Sequence, residues 1–104
     1  MNNPKYNPLF DQATNMQFRF HDATRGIIAN LPQTRSMKGE IHQLVQDIAV
    51  ERSPREIENR IKIIQRQVST DKRMLKPILP WETHDMLHGS LEIMRDDVRR
   101  FPDY

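Results

Sequence analysis

Four histidines carry the near-neutral acid–base and metal-binding capacity of this 104-residue chain, which contains no cysteine. His84 and His88 stand four residues apart, a spacing that puts two imidazoles on one helix face, where they could share a transition metal with Asp85 as a neighbouring carboxylate. Two ligands do not complete a metal centre. No glutamate stands between the histidines in H-E-x-x-H register, and the Glu-x-x-His pairs that build carboxylate-bridged centres inside helical bundles are absent. His84 also continues the apolar spacing of Leu87 and Leu91, so it is expected as a partly buried histidine near one end of a helical core. Neither a metal nor a cofactor is expected.

The stretch Arg35-Ser36-Met37-Lys38-Gly39-Glu40-Ile41-His42 separates an arginine from a histidine by six residues, with a polar residue after the arginine. It resembles the R-x(4–6)-H motif of HEPN-type helical ribonucleases, over these eight residues only. The resemblance implies a dimer that brings two such pairs together on RNA, with His42 as base and Arg35 stabilising phosphate charge during in-line attack. The spacing of helix signals sets Arg35 at or before the cap of a short second helix, whereas the family carries its motif on a late helix. No nucleophilic triad or phosphate-cradling loop accompanies the pair, and the three glycines, Gly26, Gly39 and Gly89, form no cluster.

The elements that must position these residues are helices. Apolar residues recur at alternating gaps of four and three through Leu9, Ala13, Met16, Phe20, Ala23 and Ile27, then Met37, Ile41, Leu44 and Ile48. The pattern returns in Ile57, Ile61, Ile64 and Val68, and again in Leu87, Leu91, Met94, Val98 and Phe101. Such gaps average about 3.5 residues and keep each side chain on one face of an α-helix. Helices are expected over about 8–30, 37–50, 54–75 and 82–101, in a single all-α domain folded as an antiparallel four-helix bundle behind an extended segment at residues 1–6.

Local signals set the boundaries. Asn7 before Pro8 reads as a cap with proline at the first helical position, Pro32 as the stop of the first helix, and Thr34 or Ser36 as the cap of the second. Ser53-Pro54-Arg55-Glu56 combines a serine cap, proline at N1 and glutamate at N3, the signature of a capping box. Pro77 ends the third helix by Lys76, and Pro77-Ile78-Leu79-Pro80-Trp81 is expected as a loop closing the end of the bundle with Trp81 buried over it. Hardly more than Arg52 and Ser53 separate the second and third helices, whereas a helical hairpin uses about two to five loop residues. Either the second helix stops at about Ala49, or the two helices meet at an open angle in a swapped arrangement completed by a second chain.

Residues outside the seams carry the functional expectations. Met86 and Ile93 fall about 100° or more from the buried face of the last helix, beside the small residues Gly89 and Ser90, and form a second apolar stripe suited to self-association or a protein partner. Phe18, Val50 and Ile63 are likewise off the main seams, and Phe18 and Ile63 join the candidate contact residues. Residues 52–76 hold eight cations against three anions, a net of +5, which leaves −3 for the rest of a chain whose total is +2. Arg55, Lys62, Arg66 and Arg73 lie within about 40° of one another on a helical wheel, a basic stripe that could line up with phosphates. No aromatic residue interleaves it for base stacking.

Composition points the same way. With 37% hydrophobic and 29% charged residues, the chain suits narrow apolar seams between polar faces, a thin core that association would supplement. The N-terminal MNNPKYNP has no signal-like apolar core and no run approaches the roughly 18 apolar residues of a membrane span, so a cytoplasmic location is expected. The resulting expectation is a non-catalytic helical interaction or regulatory module whose partners are a second copy or another protein. Nucleic-acid binding through the basic stripe is the alternative, and the Arg35–His42 ribonuclease the third reading.

Overall fold

Four α-helices make up most of residues 8–100, the part of the chain that the computed structural model describes. They are α1 (Pro8–Ala23), α2 (Pro32–Ala49), α3 (Pro54–Lys72) and α4 (Trp81–Arg100), with a 3-10 turn at Ile28–Asn30 ahead of α2. No strand occurs among the described residues. The segment 1–6, the Asn7 cap and the seam position Phe101 lie outside them.

The seams become the core. Leu9, Ala13, Met16 and Phe20 of α1 are buried with Met37, Ile41, Leu44 and Ile48 of α2, Ile57, Ile61, Ile64 and Val68 of α3, and Leu87, Leu91, Met94 and Val98 of α4. Each helix packs against two others, α1 on α2 and α4, and α3 on α2 and α4, so four apolar stripes face one interior. Polar pairs at the rims of these contacts fix how the helices meet. Gln67 Nε2 donates to Ser36 Oγ at 3.3 Å, Arg60 spans Glu40 and Asp47, Gln65 Nε2 donates to Glu92, and Glu58 accepts from Arg95 and Arg99. Burial would raise the Glu58 carboxyl, but the Arg99 and Arg95 guanidiniums, with Lys62 adding its charge, hold its pKa below the ordinary value.

Three boundaries differ by three residues or more from the sequence-based expectation. Helix α1 stops at Ala23 rather than Asn30, because Gly26 takes up φ +81° and the Thr24 hydroxyl donates to the Phe20 carbonyl at 2.7 Å. Ala23 and Ile27 therefore leave the seam, and Ile27 is 85% exposed. Helix α2 begins at Pro32, not at residue 37, with extended Leu31 as N-cap and Pro32 at N1; proline is suited to N1 because its missing N–H would be unpaired there. Arg35 is consequently inside the helix rather than at its cap, and Thr34 is buried in the first turn instead of capping it. Helix α3 ends at Lys72, short of the expected residue 75.

The connection between α2 and α3 spans residues 50–53, with α2 ending at Ala49. Glu51 adopts φ 57°, its N–H bonds to the Ile48 carbonyl and that of Arg52 to the Asp47 carbonyl, the paired bonds of a Schellman cap. Ser53 then closes the expected capping box, its hydroxyl accepting from the Glu56 N–H at 3.3 Å while the Glu56 carboxylate accepts from the Ser53 N–H.

Candidate functional site

The loop from α3 to α4 is organised by one buried carboxylate. Asp71 is an acceptor for three donors: the Ile78 N–H at 2.9 Å, the Leu79 N–H at 3.0 Å, and His84 Nε2 at 2.7 Å. Burial would raise the Asp71 carboxyl, yet the Leu79 N–H, His84 and the Ile78 N–H together hold its pKa below the usual carboxylate range. An ionised Asp71 accepts only, so His84 Nε2 carries the hydrogen of that bond. The expected partly buried histidine is thus fully buried. Its Nε2 is committed to a structural bond, and no group of three or more His, Asp or Glu among the described residues could hold a metal. His88 is half-buried, and burial, Lys72 and His84 lower its pKa against the opposing pull of Glu92 and Asp85.

Tethering the loop at Ile78 and Leu79 sends Leu79 into the core and leaves Trp81 outside. The expected burial of Trp81 is incorrect: it is 71% exposed, and Leu79 is the residue that plugs the end. Met74 and Leu75 are exposed beside it in sequence, Leu75 completely. Ser36 near the start of α2 meets Gln67 near the end of α3, so the connection that enters α2 and the one that leaves α3 share an end of the molecule. Ile27, Met74, Leu75 and Trp81 are exposed apolar side chains of that end.

At the same end, the start of α2, the end of α3 and the following loop enclose a cleft of about 380 Å³. Met37, Ile63, Met74, Ile78 and Leu79 give it an apolar lining, and the exposed Arg66 lines it too. Thr34 and Gln67 also line it; the Thr34 hydroxyl and Gln67 Oε1 are buried without a hydrogen-bond partner. The sequence offered one hint of this cleft, Ile63, an isoleucine off the α3 seam. The rest is hidden by local signals, since Thr34 and Ser36 both have the character of a cap and Met74 falls within the expected span of the third helix.

The other sequence-selected residues occupy separate places. On α4, Ile93 is 56% exposed and Gly89 has open space where a β-carbon would stand, whereas Met86 packs partly on the core and its sulfur receives the Ser90 hydroxyl at 4.0 Å. Phe18 is exposed on α1 and lines a shallow surface pocket with Arg19, His21, Asp22 and Arg25. Arg55, Lys62, Arg66 and Arg73 are all exposed along α3; Lys62 stands 4.0 Å from Glu58, and the three arginines have no ion pair among the described residues. Arg35 and His42 share a face of α2 by their seven-residue spacing. Arg35 donates to the Asn30 carbonyl at 3.0 Å, and His42 Nδ1 lies 3.2 Å from Gln17 Nε2, a contact in which the amide donates to the ring.

Compared with known protein families, curated proteins and solved structures, the chain matches none. No helix among the described residues is long and apolar enough to cross a membrane.

Proposed function

We propose that this protein is a non-catalytic helical module, an antiparallel bundle in topology, that works by contact with another protein and first of all with a second copy of itself. The supporting observation is the exposed apolar end formed by Ile27, Met74, Leu75 and Trp81. Four large apolar side chains, three from the two connections and Trp81 from the start of α4, leave hydrophobic area in water that association would remove. The α4 stripe is the subordinate contact, because Ile93 and the open space at Gly89 admit an opposing helix while Met86 is partly engaged with the core. Sedimentation at rising concentration, with helical content followed in parallel, tests this. The wild type should exceed monomer mass and the Leu75→Glu/Trp81→Glu variant should return to it with its helicity intact. Loss of association in Ile93→Glu instead would move the interface to α4, and a strictly monomeric wild type would refute self-association.

The unpaired guanidiniums of Arg55, Arg66 and Arg73 favour nucleic-acid binding as a second reading. Phosphate contacts are strongest at low salt, so binding to DNA or RNA at about 50 mM salt, with a slope against salt that flattens when Arg55, Lys62, Arg66 and Arg73 become glutamate, is its signature. No binding under those conditions removes it.

A further inference from the structure

Polar atoms buried without partners are uncommon in folded proteins, and each points either to an ordered water or to a group that the site is built to receive. The cleft between α2 and α3 has two of them in its lining, the Thr34 hydroxyl and Gln67 Oε1, and Thr34 is only 2% exposed. Met37, Ile63, Met74, Ile78 and Leu79 supply the apolar wall, and a volume of about 380 Å³ falls within the range of roughly 300–1,000 Å³ usual for small-molecule sites.

Two ionisable groups line this cleft, and they differ in availability. Asp71 is consumed by the Ile78 and Leu79 N–H groups and by His84. Arg66 has neither an ion pair nor a hydrogen bond among the described residues, so its guanidinium is free to bind an anion, and a carboxylate suits its planar fork. We infer that the cleft binds a small aliphatic carboxylate bearing a hydroxyl group: the acid pairs with Arg66, the chain lies along the methionine and isoleucine wall, and the hydroxyl pairs with Gln67 Oε1 and the Thr34 hydroxyl once these two closed-off side chains turn toward it. This inference is independent of self-association through the apolar end, although Met74 contributes to both surfaces.

The test uses the full chain and three ten-carbon probes below their micelle thresholds: 3-hydroxydecanoate, decanoate and decylammonium. Calorimetric titration and methyl chemical shifts are read together. 3-Hydroxydecanoate should bind saturably, shift the methyls of Met37, Ile63 and Leu79, and bind more tightly than decanoate, while decylammonium should not compete. Arg66→Glu alters an exposed side chain and should keep the fold while weakening 3-hydroxydecanoate on the order of tenfold or more, the loss expected of one charge-assisted contact. Arg66→Lys should recover part of that loss, because it restores the charge without the fork. The inference is overturned if no probe binds saturably, if decylammonium binds as well as the acids, if shifts fall outside the cleft, or if Arg66→Glu leaves affinity unchanged. Decanoate binding as tightly as its hydroxylated relative would overturn the role given to Thr34 and Gln67.

Discussion

The two connections flanking α3 solve the same problem by different means. Residues 50–53 join α2 to α3 with bonds that reach no further than five residues: the Schellman pair at Glu51 and Arg52, then the Ser53–Glu56 box. Residues 73–80 are held by a carboxylate at the end of α3, through backbone donors seven and eight residues away and a histidine thirteen residues away on α4. The first turn is exposed, and water can replace any bond it loses. The second is anchored in the interior, where a lost bond leaves its partner unsatisfied. Hydrogen bonds of similar length therefore carry unequal consequences.

Removing the interior anchor should give the largest effect. Asp71→Ala strands the Ile78 and Leu79 N–H groups and the His84 ring, and should cost about 3–5 kcal/mol in denaturant unfolding. A cost below about 1 kcal/mol would erase the distinction between the connections, since a single cap is worth that much.

Acid should reach the same anchor. The native Asp71 pKa lies below its unfolded value, so its contribution is complete above about pH 3.9 and is lost as pH falls through the native value. His21 and His88 also have lowered native pKa values, His21 through burial, Lys38 and His42. Their neutral forms favour the fold above about pH 6.5, and that contribution is lost on acidification from there. In urea titrations between pH 8 and pH 2, wild-type stability should fall in both windows, and the gap to Asp71→Asn should narrow only in the lower one. A gap constant to pH 2 would show that the Asp71 charge is not what holds the loop.

The exposed connection should respond more weakly. Ser53→Ala should destabilise by about 1 kcal/mol by removing the acceptor of the Glu56 N–H. A neutral result would mean that water substitutes completely for the hydroxyl.

The smallest effect should have the opposite sign. Glu51 holds φ 57° with a β-carbon, and glycine takes that conformation freely, so Glu51→Gly should stabilise by about 0.5–1 kcal/mol in thermal or urea unfolding, less some extra unfolded-state entropy. Destabilisation would indicate that the glutamate side chain contributes more than its backbone strain removes.

The same contrast divides what was legible in the sequence. Ser53-Pro54-Arg55-Glu56 states its own structure, because the groups that bond are three residues apart and need no partner elsewhere. The preceding turn was harder to read, since the left-handed residue is glutamate rather than glycine. Gly26 did announce the end of α1, but the continuing apolar spacing through Ala23 and Ile27 obscured it. Periodicity reports which face a residue would occupy in a helix, not whether the helix extends that far.

By itself the sequence determined the four seams and hence an all-α core, because burial of a helix stripe follows from spacing along one chain. It also marked the outward charge of α3 and the place of His84 in the core. Only the tertiary structure decided that Asp71 would meet His84 and the loop N–H groups, that Leu79 rather than Trp81 would plug the end, and that Thr34, Gln67 and Arg66 would share an apolar cleft. Those outcomes depend on which surfaces remain after the helices pack together, and separation along the chain carries no record of that geometry.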